Sequence, residues 1–148
     1  MNKILSGKEK RDILSEMNSH YGIDIVPDVV FVESGKGKVW IVNKSINKID
    51  ISNLNIERFG TYVLFRDKYG VRFTIEGSQI FGNYAKRNIV EIQKTDIDKW
   101  IRGFDLDIET ETNKYIIIKH KDDFLGCGKG AKGIIQNYLP KSRRIMKL

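Results

Sequence analysis

The chain has 148 residues, enough for one domain or one domain with a small appendage, and at this length a core holds without crosslinks. With 41% hydrophobic and 30% charged residues it has the composition of a soluble globular protein, and its apolar runs, such as residues 116–118, fall far short of the roughly twenty residues that a membrane span needs. One cysteine excludes an internal disulfide framework, and two histidines exclude most multi-ligand zinc sites.

Ser6 and Glu9 have the S-x-x-E spacing of a capping box. Ile13, Leu14, Met17 and Tyr21 follow at helical intervals up to Gly22, which suits a left-handed stop. The charged residues 8–12 leave no room for a secretory leader, so a cytoplasmic protein is expected. Pro27 marks an extended entry, and the β-branched runs 29–32 and 39–42 around Ser34-Gly35-Lys36-Gly37 predict a hairpin. Residues 43–55 are polar and asparagine-rich, and read as a connection between two blocks. Residues 61–65 and 71–75 flank Asp67-Lys68-Tyr69-Gly70, a second hairpin signal. A short helix is expected over 76–84 and a strand over 89–92. Thr95 to Asp98 cap a one- or two-turn helix carrying Trp100 and Ile101, stopped by Gly103. Residues 104–108, 115–120, 124–127 and 134–138 read as further strands. Together these predict an α+β protein: a small N-terminal α/β block over 1–55, then a mixed β barrel-like block over 56–148.

Few residues announce chemistry. Gly128-Lys129-Gly130-Ala131-Lys132-Gly133 matches G-x-G-x-x-G, but no acidic residue follows it and it does not open a βαβ unit, so a dinucleotide site is not expected. A tight strand connection, letting backbone or a phosphate approach closely, suits it better. Cys127 has no evident base beside it, and reads as a small buried strand residue rather than a nucleophile. Asp105, Asp107, Glu109 and Glu111 alternate as on one solvated face of a strand, without the spacing of a metal loop. No catalytic residue, cofactor or metal is expected.

The charge is better organised. The net charge of +7 comes from 26 basic and 19 acidic residues, and residues 114–148 alone hold nine basic and two acidic groups, an excess equal to that of the whole chain. A basic segment on a folded body attracts polyanions, nucleic acid above all. Lys129, Lys132, Lys141, Arg143 and Arg144 surround Asn137-Tyr138-Leu139-Pro140, and Lys86 with Arg87 form a second basic pair. Guanidinium groups suit bidentate phosphate contacts, and Tyr138 suits stacking on an unpaired base. The alternatives stay open: Tyr138 as a core aromatic, and Arg143 and Arg144 as a solvated terminus.

The same residues carry a family resemblance. Residues 123–129, Gly133 and Asn137-Tyr138-Leu139-Pro140-Lys141-Ser142-Arg143-Arg144 resemble the end of the PUA-like RNA-binding domain that closes many Sun/Fmu-type RNA cytosine-5 methyltransferases. Trp100-Ile101-Arg102-Gly103-Phe104-Asp105-Leu106 is similar to that domain's helix-to-strand element, and Arg58-Phe59-Gly60 and residues 72–79 are similar to PUA openings in small archaeal-type proteins. The likeness covers roughly 56–148. It implies a PUA-like pseudobarrel that binds structured tRNA or rRNA without catalysis, in RNA modification or ribosome biogenesis. Lys86, Arg87, Lys129, Lys132, Tyr138, Lys141, Arg143 and Arg144 would form the contact set. The rival expectation is an adaptor that docks on an RNA methyltransferase or a ribosomal protein.

Overall fold

A computed structural model of the protein describes residues 2–145. Helix α1 (Gly7–Tyr21) starts where the capping box places it. The Glu9 amide donates to the Ser6 hydroxyl, and the Ser6 amide donates to the Glu9 carboxylate, both at 3.1 Å. Gly22, at φ 71°, ends the helix with its amide on the Asn18 carbonyl. Ile13, Met17 and Tyr21 form the fully buried stripe that the sequence spacing predicts.

That stripe packs on an antiparallel meander of five strands in sequence order: β1 (Asn2–Ile4), β2 (Val30–Ser34), β3 (Lys38–Val42), β4 (Thr61–Asp67) and β5 (Gly70–Phe73). Both expected hairpins form. The sheet runs straight across the polar connection at 43–55, because β4 pairs with β3. Asn2 holds that connection in place by donating to the Ile51 and Leu54 carbonyls at 2.8 and 2.7 Å. A short helix α2 (Ile56–Phe59) precedes β4, and α3 (Ile75–Phe81) lies so close to β4 that a Cβ on Gly77 would come within 1.8 Å of the Val63 carbonyl oxygen.

The second sheet has the order β6 (Ile89–Glu91), β7 (Tyr115–His120), β8 (Asp123–Ala131) and β9 (Ile134–Asn137), with β6 parallel to β7 and the remaining pairs antiparallel. Helix α4 (Lys94–Ile101) covers one face through the fully buried Trp100, whose indole N–H donates to the Leu125 carbonyl at 2.8 Å. Tyr115, Ile117, Phe124 and Cys127 of this sheet join the core built on α1 and the first sheet, so the two sheets share one apolar interior. Among the described residues, no helix is long and apolar enough to cross a membrane.

Several local expectations change. The strand expected over 104–108 is an extended segment tied to β9 by a single bridge, Leu106 to Ile135, so Asp105 to Glu111 do not line a strand face. Asp105 instead serves the fold, accepting the Asn137 amide at 2.8 Å. Helix α4 begins one residue before Thr95, with Gln93 at its N-cap and no side-chain cap. The glycine-rich stretch is no phosphate loop. Gly128 and Gly130 lie inside β8, where a Cβ would meet Ile135 at 2.5 Å and the Thr112 carbonyl at 1.9 Å respectively. Close backbone approach is therefore their role.

Candidate nucleic-acid interface

The register of the first sheet places Lys38 opposite Phe65, and Phe65 opposite Arg72, so three neighbouring strands present cation, ring and cation in a row. The Arg72 guanidinium lies 5.0 Å from the Phe65 ring centroid, 5.4 Å from Tyr138 and 5.9 Å from Tyr115, all within cation–π range. The row continues into the second sheet. Tyr115 and Tyr138 meet edge to face at 5.5 Å, and Tyr69 meets Tyr115 the same way at 6.3 Å. Lys129 and Lys68 then place their ammonium groups 4.4 and 5.1 Å from the Tyr69 ring. At the other end, Lys38 lies 5.7 Å from the ring of Tyr62.

Tyr115 is the floor of this row, almost fully buried, while Phe65, Tyr69, Arg72, Lys129 and Tyr138 are half-buried and partly open. Burial pushes the Tyr115 hydroxyl well above the ordinary tyrosine range, and the neighbouring Asp67, which accepts its hydrogen bond at 2.6 Å, pushes the same way; Arg72 opposes both. Tyr62 is raised by burial, again with Arg72 opposing. Among the described residues, no carboxylate lies within ion-pair distance of Lys38, Lys68, Arg72, Lys129, Lys132 or Lys141. Unneutralised cations interleaved with ring faces provide charge for phosphates and π surface for unpaired bases.

The residues singled out from the sequence fall into three groups. Lys129 and Tyr138 are in the row. Lys132, in the turn between β8 and β9, and Lys141, in the 3-10 turn Lys141–Arg143, are exposed. The other four engage the protein itself. Lys86 pairs with Asp24 at 2.9 Å, and Arg87 donates to the Asn18 and Ser19 carbonyls at 2.6 and 2.8 Å, closing the C-terminal end of α1. Arg143 pairs with Glu76 at 2.5 Å. Arg144 donates to the Leu139 carbonyl at 2.9 Å and lies over Gly103.

Sequence reasoning missed Lys38, Tyr62, Phe65, Lys68, Tyr69 and Arg72. The signal was present in the second hairpin: a turn at 67–70 fixes Phe65 opposite Arg72. Cys127 is a core residue, and burial pushes its thiol up to about 12. Both histidines serve the backbone: a His20 ring nitrogen is 2.7 Å from the Tyr115 carbonyl, and one of His120 is 2.8 Å from that of Ile92.

Residues 87–145 match the family described as the methyltransferase RsmF PUA domain. The chain is 24% identical over 138 residues to the ribosomal RNA small subunit methyltransferase F of Aeromonas salmonicida, covering 93% of the chain and 28% of the relative. It is 23% identical over 137 residues to that of Vibrio cholerae serotype O1, with 92% and 28% covered. The chain thus spans a little over a quarter of the length of these relatives. Over residues 87–145 the sequence is thus similar to the PUA domain of RsmF-type RNA methyltransferases, in agreement with the Sun-type resemblance that its C-terminal motifs carry.

Proposed function

We propose that this chain is a non-catalytic RNA-binding unit that recognises structured tRNA or rRNA in RNA modification or ribosome biogenesis. The observation that carries the proposal is the row Lys38–Phe65–Arg72–Tyr138, extended by Tyr69, Lys68 and Lys129. It crosses from one sheet to the other and leaves its cations without carboxylate partners among the described residues. The similarity to the PUA domain of a ribosomal RNA methyltransferase supports it. On this reading most of the RNA-binding face comes from residues 56–148, because the second hairpin supplies Phe65, Tyr69 and Arg72, while β3 adds Lys38 from the N-terminal block, and the two sheets act together as a PUA-like pseudobarrel. Lys132 and Lys141 extend the charged face, whereas Lys86, Arg87 and Arg144 support its shape.

Replacing Arg72 with glutamine keeps the size and removes the charge. The affinity for an rRNA fragment should fall about tenfold, the scale of one charge-assisted contact. Lys86→Gln, which breaks only the exposed pair with Asp24, should leave it within about twofold. Equal affinities for Arg72→Gln and the parent protein, both folded by circular dichroism, would remove the row from the interface.

One observation favours the docking alternative. Leu14, Ile23 and Val26 line a groove of about 410 Å³ beside α1, next to Ile25, which is 61% exposed. Salt-independent association with a methyltransferase that Ile25→Asp abolishes, with no RNA bound, would favour that reading.

A further inference from the structure

We infer that the groove between β4 and the C-terminal turn seats one unpaired nucleotide, and that Glu76 reads the edge of its base. This rests on the RNA-binding reading and names a site within it. The groove holds about 370 Å³, within the roughly 300–1,000 Å³ of small-ligand sites, and is bounded by Lys38, Tyr62, Glu76, Pro140, Ser142 and Arg143. Tyr62 is its flat wall. Trp40 stacks on that ring at 5.3 Å with 30° between planes, which holds it in place. The Lys38 ammonium sits over the same ring, on a flexible stem that can swing to a phosphate as a base slides in. The Pro140 ring adds apolar surface to the groove.

A carboxylate is out of place in a site built for phosphate alone. Glu76 is 38% exposed, and the Arg143 guanidinium engages its Oε1 at 2.5 Å. Its Oε2 has no donor among the described residues, and neither does the nearby Ser142 hydroxyl have a partner there. An oxygen that only accepts, repels phosphate and borders a stacking wall matches an amino N–H on a base edge. Cytosine, adenine and guanine carry such a group. Uracil puts a carbonyl where cytosine has its amino group, and its one edge donor, N3–H, is flanked by two carbonyls whose lone pairs would crowd the carboxylate. The groove therefore selects an amino-bearing base against uracil, with the 5′ phosphate on Lys38.

The test uses the full chain and two sets of probes. CMP and UMP are titrated with amide chemical shifts as the readout, and single-stranded RNA octamers with one central C or U are titrated by anisotropy. The C probe should bind at least about fivefold tighter than the U probe in both sets. Glu76→Gln, which keeps an acceptor but adds a donor, should bring that ratio close to one. Tyr62→Leu should weaken both octamers about tenfold. Octamers bound in a salt-dependent way but with no C-over-U preference, and unaffected by either substitution, would overturn the groove and leave the RNA reading standing. A saturable CMP response with no octamer binding would overturn the RNA reading and keep the groove. Absence of both would overturn both, and a folded Glu76→Gln that retains the full preference would remove Glu76 from the site even if Tyr62→Leu fails to fold.

Discussion

The Cys127 thiol is 2% exposed, 4.0 Å from the Tyr21 hydroxyl, in the core that the two sheets share. Desolvation is the largest influence on it, and outweighs the Phe73 backbone and Tyr21 contacts that favour the thiolate. With the thiol raised to about 12, only about one molecule in 10⁴ holds a thiolate at pH 8. Native protein should therefore resist a thiol-disulfide reagent for hours and react within minutes in denaturant; stoichiometric labelling of the native state within minutes would contradict this burial. Glu9 behaves in the opposite way at the surface. The Lys3 ammonium, then the Ser6 backbone and hydroxyl, hold its carboxyl down to about 2 from an ordinary 4.5. Because the folded value is depressed, its contribution is fully present above pH 4.5 and is lost as pH falls towards 2. Glu9→Gln should lower Tm at pH 7 and converge with the parent near pH 2, with a gap at pH 7 that shrinks in high salt because the pair is exposed. A Tm gap that persists unchanged at pH 2 would show that Glu9 acts through something other than its charge.

At the scale of elements, the C-terminal arginines and the turn after α4 form one contact. Gly103 has φ +94°, and a Cβ there would come within 2.5 Å of the Arg144 Cδ, while the Ile145 amide donates to the Ile101 carbonyl at 2.8 Å. Gly103→Ala should cost about 1–3 kcal/mol from backbone strain and the displaced arginine. In an Arg144→Ala background part of that cost should vanish, giving a coupling of about 0.5 kcal/mol or more by denaturant unfolding. Strict additivity would mean that the two residues do not meet. This contact also shows what a sequence can and cannot reveal. Helix α1 was legible because a capping box, a periodic stripe and a terminal glycine agreed over fifteen residues. Both hairpins of the first sheet were legible from their turns. Strand β1 was not, since three residues carry no period and its partner lies about thirty positions away. Residues 104–108 alternate like a strand but form a backbone bridge to β9 only at Leu106, and no local signal reveals how many partners a segment will find. The glycines of β8 look like a loop in isolation, whereas tertiary crowding from Ile135 and Thr112 sets their identity. Cross-strand register explains the site in the same way: the basic tail was visible as composition, but Arg72 gains its meaning only from rings that lie up to 66 positions further along the chain.

For the whole molecule, the basic groups of residues 114–145 do not end up on one surface of their own. Arg143 is paired with Glu76 and Arg144 is turned inward, while the second hairpin contributes cations that a charge count by segment would treat as balanced. The face that results combines Lys38, Lys68, Arg72 and Lys129 with four partly open rings, and these four charges set the scale of what RNA binding would release in counterions. The most direct measurement is an anisotropy titration of a labelled single-stranded rRNA fragment across a series of salt concentrations, with duplex DNA as the control. Four phosphate contacts on a single strand give a slope of log K against log salt of about −3, with RNA preferred over the duplex, and Arg72→Gln should flatten the slope by about 0.7. No binding at low salt, or binding whose affinity ignores salt, would contradict the assignment of this face to RNA.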